Sequence, residues 1–131
     1  MPLKAHTLND EICGHSHDAA HAMELPPNSR ILFCNGQVGA RLNGVVPDDP
    51  SEQICVIFER IEKILSAASM TFHDVVRLIV YVTDKSIFES FFKLRKATMG
   101  DHNPPAILLM VRDFPRAGVM VEIETIAAKS V

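Results

Sequence analysis

The sequence predicts a fold in which two helices pack against one face of a mixed β-sheet. Two stretches have the apolar periodicity of helices, several others are rich in β-branched residues, and the two kinds alternate along the chain. The resulting order, β-β-α-β-α-β-β, requires crossover connections between strands of one sheet. With 131 residues and 47% hydrophobic content, the chain is long enough for one domain with a buried core.

The N-terminal region divides into an arm and the start of the domain. Residues 1–18 are polar and show no regular period, so we expect a partly mobile arm before a single domain over residues 19–131. The loosely alternating stretch 20–25 predicts a first strand. A Pro-Pro turn follows it, and residues 30–39 predict a second strand that ends at glycines.

Residues 51–69 carry the clearest helical pattern in the chain. Asp49 is suited to cap the start of this helix, and Pro50 is suited to its first position. Its apolar side consists of Ile54, Ile57, Phe58, Ile61, Ile64, Leu65 and Ala68. This spacing predicts one stripe that faces the core.

The second half of the chain repeats the strand-helix arrangement and ends in two strands. Residues 74–84 are rich in β-branched side chains and predict a strand. Ser86 begins a capping-box sequence and predicts the start of a second helix, which Gly100 should end. Residues 106–114 and 119–127 predict the last two strands.

Some of the predicted strands are apolar on both faces. The segments "RLIVYV" (77–82) and "ILLMV" (107–111) do not alternate between apolar and polar residues. Because two helices can cover only one face of the sheet, the other face needs a different cover, and a second copy of the chain is the simplest candidate. We therefore expect a homo-oligomer, although the pattern does not give the number of subunits.

The stretch "VEIETIA" (121–127) places two carboxylates in an otherwise apolar strand. Because side chains alternate across a strand, its valine and first isoleucine should face the helices, while Glu122 and Glu124 face the side covered by another copy. A carboxylate there is paired with an arginine such as Arg77 or Arg112, exposed at a wet rim, or held in a cleft for acid-base chemistry. The pattern leaves these alternatives open.

Composition argues against several classes of protein. The formal net charge of −3 provides no basic excess, so we expect no nucleic-acid partner. The chain lacks the long apolar run of a membrane span and the apolar block of a secretory signal. Cys13, Cys34 and Cys55 form no CxxC motif, so we expect reduced thiols in a cytoplasmic protein, with Cys34 a buried strand thiol rather than a nucleophile.

Several segments share their order and spacing with a known protein family. They are "NGQVG" after a hydrophobic strand, the long amphipathic helix, "DVVRLIVYVTD", and the closing "FPRAGVMVEIETIA". These segments resemble the YjgF family, also called the reactive intermediate deaminase (Rid) family. The resemblance runs from about His21 to the C-terminus.

The resemblance implies an α+β, chorismate-mutase-like fold and a homotrimer with one ligand cleft at each subunit boundary. Deaminase members of the family hydrolyse enamine or imine intermediates released by pyridoxal-phosphate enzymes, giving a 2-oxo acid and ammonia. They need no metal or cofactor of their own, so the resemblance implies a small-molecule ligand and no cofactor here.

The family motifs also imply a set of site residues. Glu122 falls on the family's catalytic-side glutamate, and Asn35 with Gly36 falls on its "SGQ" motif. His21 falls near a family tyrosine at the first strand, where it could carry a proton, and Phe92 falls near an asparagine of the second helix.

The family's substrate-binding arginine is replaced in this chain. It belongs to a "PAR" motif, which reads Pro105-Ala106-Ile107 here. An isoleucine cannot bind a carboxylate as a bidentate arginine does, although backbone groups at Leu108 remain available as donors. We therefore expect a ligand less anionic or more apolar than the usual 2-imino acids, with Glu122 positioning a water.

Two further groups carry weaker patterns. His15, His17 and His21 have a spacing that can bind zinc, but unrelated histidines in a polar arm are the favoured interpretation, and we expect no metal. Arg112 and Arg116 flank the last hairpin and could replace the missing arginine.

Three functions remain as hypotheses. The leading one is a Rid-family hydrolase of the deaminase type, acting on a small imine, enamine or related metabolite. In it Glu122 is the acid-base residue, and the pocket is shaped by His21, Asn35, Gly36, Phe92, Ile107 and Leu108. The second hypothesis is a non-catalytic, small-molecule-binding trimer. The third is a ribonuclease or translation inhibitor, which the charge balance disfavours.

Overall fold

The computed structural model describes residues 2–14 and 18–131. Its strands are β1 (Lys4–His6), β2 (Ala22–Glu24), β3 (Ser29–Val38), β4 (Val75–Val82), β5 (Ala106–Met110) and β6 (Val121–Ser130). The helices are α1 (Pro50–Ala67) and α2 (Ile87–Met99), with one short 3-10 turn at Phe72–Asp74. None of the helices in these residues is long and apolar enough to cross a membrane.

The main sheet is mixed, as predicted. Its four strands lie in the order β3-β6-β4-β5, with β6 antiparallel to both neighbours and β5 parallel to β4. The prediction that all strands share one sheet is wrong for the first predicted strand, because β2 pairs with β1 in a separate two-stranded antiparallel sheet. The sequence prediction had no counterpart for β1, which lies within the stretch expected to be irregular and is too short to show an alternating pattern.

The helices cover one face of the main sheet and form the core with it. α1 begins as predicted, with the Asp49 carboxylate accepting the backbone N–H of Ser51. The predicted capping box at Ser86 is wrong: Ser86 already has helical backbone angles, and Asp84 accepts both its N–H and its hydroxyl. The fully buried side chains of the helix-sheet interface include Ile54, Ile57, Ile61, Leu65, Leu78, Phe91 and Ile123.

The other face of the sheet is open. Exposed apolar side chains lie on it from both edges, among them Ile31 (52% exposed), Phe33 (74%), Ile107 (37%) and Leu109 (44%). β6 confirms the predicted alternation, because Val121 and Ile123 are buried in the core while Glu122 and Glu124 are half-buried on the opposite face. Exposed apolar surface of this kind marks an interaction site.

Gly39 and Gln53 fix the junction between β3 and α1. A Cβ atom on Gly39 would lie 2.6 Å from the Cα of Gln53, so the strand end packs directly on the helix backbone. The Gln53 amide is fully buried, donates to the carbonyls of Pro47 and Gly118, and accepts the N–H of Met120. This network ties the start of α1 to the segment that leads into β6, the strand that carries Glu122.

Candidate functional site

Glu122 lies on the open sheet face, close to the start of β6. Its neighbours in the register are Tyr81 on β4 and Val38 on β3. The carboxylate lies over Gly36, where any Cβ atom would collide with its Oε2. Within residues 2–14 and 18–131, Glu122 forms no hydrogen bond or ion pair, so its oxygens are available to a ligand, a water or another copy of the chain.

The backbone beneath Glu122 departs from the regular ladder. The β3–β6 register shifts between Cys34 and Gln37, so that Asn35 and Gly36 lie in a bulge. Gln37 holds the bulge in place: its Nε2 donates to the Asn35 carbonyl at 3.0 Å, and its Oε1 accepts from Arg60 at 2.9 Å. Bulges of this kind redirect side chains near functional sites. The structure therefore brings together Glu122, Gly36 and the Asn35 backbone.

A second feature is a cleft of about 430 Å3 between residues 19–25 and one end of the open face. His21, Ile107, Arg77 and Ile126 are among the residues that line it, together with small and aliphatic side chains. Two of the predicted site residues, His21 and Ile107, therefore share one cleft.

His21 fastens the N-terminal arm. Its Nδ1 accepts the backbone N–H of Leu8 at 3.1 Å, and its Nε2 lies 3.2 Å from the carbonyl of Cys13. Nδ1 therefore acts as an acceptor, and Nε2 can donate to the carbonyl when it carries the ring proton. A proton-carrying role for His21 would require one of these hydrogen bonds to break.

Within one chain, Glu122 and the cleft are apart. Ile126, which lines the cleft, follows Glu122 by four positions on β6, equivalent to about 13 Å along the strand. Ile107 shares its cross-strand row with Ile79 and Glu124 instead. A ligand that contacts both Glu122 and Ile107 would therefore have to span the open face or lie between copies of the chain.

Phe92 and Leu108 lie elsewhere. The Phe92 ring packs at 5.6 Å from that of Phe91 and lines a separate pocket with Asp18 and Arg95. The Leu108 side chain packs against the core on the helix side, so only its backbone on the edge strand β5 is open to a ligand. The single chain does not bring Phe92 to Glu122, and its role in a site remains a prediction for the assembled protein.

The other candidate groups show no catalytic arrangement. Burial raises the pKa of the Cys34 thiol, which disfavours the reactive thiolate. Arg116 donates to the Gly44 carbonyl at 2.7 Å and is engaged in its own loop. No cluster of three potential metal ligands occurs among the described residues, and His15 and His17 lie outside them.

Sequence reasoning missed Arg77 as a cleft residue. The strand pattern suggests Arg77 only as an ion-pair partner for the glutamates, yet Arg77 forms no ion pair within the described part of the chain. The alternation of side chains along β4 is enough to place Arg77 on the open face. The register that puts it beside Ile126 and the cleft is a tertiary property that one sequence does not contain.

Comparison with known proteins identifies the family. A family model described as Endoribonuclease L-PSP matches residues 19–129. A RutC family protein of Pyrococcus horikoshii is 30% identical over 101 residues, which cover 76% of this chain and 79% of the relative. TdcF of Escherichia coli has the provisional name of a reactive intermediate deaminase. It is 27% identical over 104 residues, which cover 76% of this chain and 80% of TdcF.

Solved structures share the fold. YyfB from Yersinia pestis, described as a Rid family protein of unknown function, has a TM-score of 0.83 at 21% identity and covers 98% of this chain and 100% of its own. These likenesses confirm an α+β protein with the predicted chorismate-mutase-like architecture. The chain belongs to the YjgF/Rid family.

Proposed function

We propose that the protein is a Rid-type hydrolase that releases ammonia from a small imine or enamine, with Glu122 as its acid-base residue. The observation that carries this proposal is the Glu122 carboxylate, which is half-buried on an apolar sheet face and lies over a glycine that leaves room for it. Within the described residues it has no hydrogen-bond or ion-pair partner, so its oxygens are available to a water molecule and a ligand.

The open sheet face supports a site shared between copies of the chain. Phe33 is 74% exposed and lies opposite Ile126 in the register, at the end of the face that carries the cleft. Burying such apolar surface favours association, and each copy then brings its carboxylate into a partly desolvated boundary. We infer a homotrimer, as the family resemblance implies, with small-molecule sites at the subunit boundaries.

In this proposal Glu122 transfers protons during the hydrolysis of a C=N bond. The carboxylate accepts a proton from a water molecule as the water oxygen attacks the C=N carbon, and it returns a proton to the nitrogen. The resulting carbinolamine passes its hydroxyl proton to the nitrogen as the C–N bond breaks, which releases ammonia and a carbonyl product. An enamine enters the same path after a proton moves from its nitrogen to its carbon and gives the imine. A positioned general base of this kind contributes about 100- to 10,000-fold to rate.

The test is hydrolysis of freshly generated imines by the native protein and by Glu122→Gln. The panel contains 2-iminobutyrate, 2-iminopropionate and uncharged imines of similar size. We expect turnover of at least one imine, with kcat/KM lowered about 100-fold or more in Glu122→Gln, which keeps the shape of the side chain but cannot take a proton. Ammonia release is measured against the uncatalysed rate.

Two results would contradict the proposal. Equal turnover by the native protein and Glu122→Gln would remove the carboxylate from the chemistry. Absence of turnover with the whole panel, together with retained binding of small ligands, would favour a non-catalytic binding protein. Salt-sensitive binding and cleavage of RNA would instead support the activity in the name of the family model, Endoribonuclease L-PSP.

Gly36→Ala should reduce activity without unfolding the protein. The added Cβ would occupy the position of the Glu122 carboxylate, and this far end of a flexible side chain must move. Because small misplacements of a reacting group are costly, we expect turnover to fall about tenfold or more. Unchanged turnover in the imine assay would show that the position of the carboxylate over Gly36 is not the active one.

A further inference from the structure

Arg77 is directed toward the cleft by the alternation of β4. Leu78, Val80 and Val82 are buried against the helices, which places Arg77 on the opposite, open face. The register pairs Arg77 with Ile126, and both residues line the cleft. The exposed side chain of Arg77 therefore lies at the wall of a formed cavity.

None of the described residues that line the cleft supplies a counter-charge for this arginine. Among the described residues that line it, Arg77 is the only one with a permanent charge, none is acidic, and the rest are apolar apart from His21. Arg77 also has no hydrogen-bond or ion-pair partner within residues 2–14 and 18–131. A guanidinium against apolar walls attracts an anion more strongly than it would in bulk water.

Arg77 lies close enough to Ile107 for its guanidinium to reach a ligand group bound beside Ile107. Leu78 pairs with Ala106 and Ile79 with Ile107, so Arg77 precedes the Ile107 row by two positions on the neighbouring strand. The two Cα atoms are then about 8 Å apart, by strand rise and strand spacing. An arginine side chain can cover much of this distance.

We propose that Arg77 binds the negatively charged group of the ligand in this cleft and makes the ligand a small carboxylate. Ile107 cannot bind a carboxylate, so Ile107 by itself favours an uncharged ligand. Arg77 in the same cleft supplies the positive charge and therefore favours an anionic ligand instead. Its planar fork can donate two parallel N–H···O bonds to a carboxylate. The inference rests on the proposed function for the location of the site, but it concerns binding and can be tested without turnover.

The experiment compares butyrate with its neutral counterpart butyramide, titrated into the full-length protein and followed by NMR. The variants are Arg77→Met, which keeps an unbranched chain, and Arg77→Lys, which keeps the charge without the fork. Lys63→Gln, on the exposed side of α1, controls for the loss of one positive charge. Sedimentation of each variant records the state of assembly.

We expect Arg77→Met to weaken butyrate binding about tenfold or more and to leave butyramide binding unchanged, with Arg77→Lys in between. Lys63→Gln should bind both ligands as the native protein does. Equal butyrate affinity in Arg77→Met and native protein, or no butyrate binding by the native protein, overturns the inference. Loss of assembly in Arg77→Met with no change in ligand selectivity also overturns it and shows instead that Arg77 pairs with another copy.

The result is independent of hydrolysis. In Glu122→Gln, Arg77→Met should still weaken butyrate binding about tenfold or more, because the contact between the guanidinium and the ligand carboxylate needs no general base. A protein without imine turnover that still selects butyrate through Arg77 would contradict the proposed hydrolase and support the anion site.

Discussion

Phe33→Lys is expected to convert the proposed trimer into monomers. Phe33 is 74% exposed on the open sheet face of the single chain, next to the half-buried Ile126. Burial of a phenylalanine side chain stabilises an interface by about 2–3 kcal/mol, and an unpaired ammonium in the same place costs several kcal/mol more. In a symmetric assembly this change recurs in every subunit.

Sedimentation velocity gives the mass of each form. We expect the native protein at three times the 14.5 kDa of one chain and Phe33→Lys at the mass of one chain. Leu42→Lys is the matched control, because Leu42 is fully exposed on the loop before α1, away from the sheet face. A native protein that is monomeric at all concentrations, or a Phe33→Lys variant of unchanged mass, would show that this face does not hold the assembly together.

Gly39→Ala is expected to destabilise the fold by about 3 kcal/mol. The new Cβ would lie within 2.8 Å of the Cα, O and Cβ atoms of Gln53. These atoms cannot move independently, because Gln53 belongs to α1 and its buried amide makes three hydrogen bonds. The helix or the strand end must shift, and tightly packed interiors resist such shifts.

Urea unfolding followed by circular dichroism measures this effect, at one fixed protein concentration because assembly adds to apparent stability. Gly36→Ala is the matched control. Its nearest contacts are all atoms of the flexible, half-buried Glu122 side chain, from Cγ outward, so the free energy of unfolding should change by less than about 0.5 kcal/mol. If the two variants lost equal free energy of unfolding, a new contact with the helix at Gly39 would be no more costly than a contact with a flexible side chain at Gly36, contrary to this prediction.

Much of the fold follows from periodicity. The Asp49 cap, the end of α2 at Gly100 and most of the α1 stripe appear where the pattern predicts them. Ile64 is only half-buried, however, and Gln53 and Val56, which lie outside the predicted stripe, are buried. Alternation along β6 correctly places Glu122 on the face away from the helices. These features depend on local spacing, which a single sequence contains in full.

The candidate site could be predicted only in part, because its geometry depends on register and assembly. The sequence shows that Glu122 and Ile107 occupy strands, but the register that sets them in different cross-strand rows is determined by the tertiary fold. The same register brings Arg77 to the cleft. The relation of Phe92 to Glu122 depends on how copies of the chain meet, which no intrachain pattern specifies.

The role of Glu122 is tested most directly by comparing the two carboxylates of β6. Glu122→Gln and Glu124→Gln remove the same charge from the same face, two residues apart, but only Glu122 lies over Gly36. Measured with the imine that the native protein hydrolyses fastest, kcat/KM should fall about 100-fold or more in Glu122→Gln and less than about fivefold in Glu124→Gln. Equal losses in the two variants, or a larger loss in Glu124→Gln, would contradict the assignment of Glu122 as the acid-base residue.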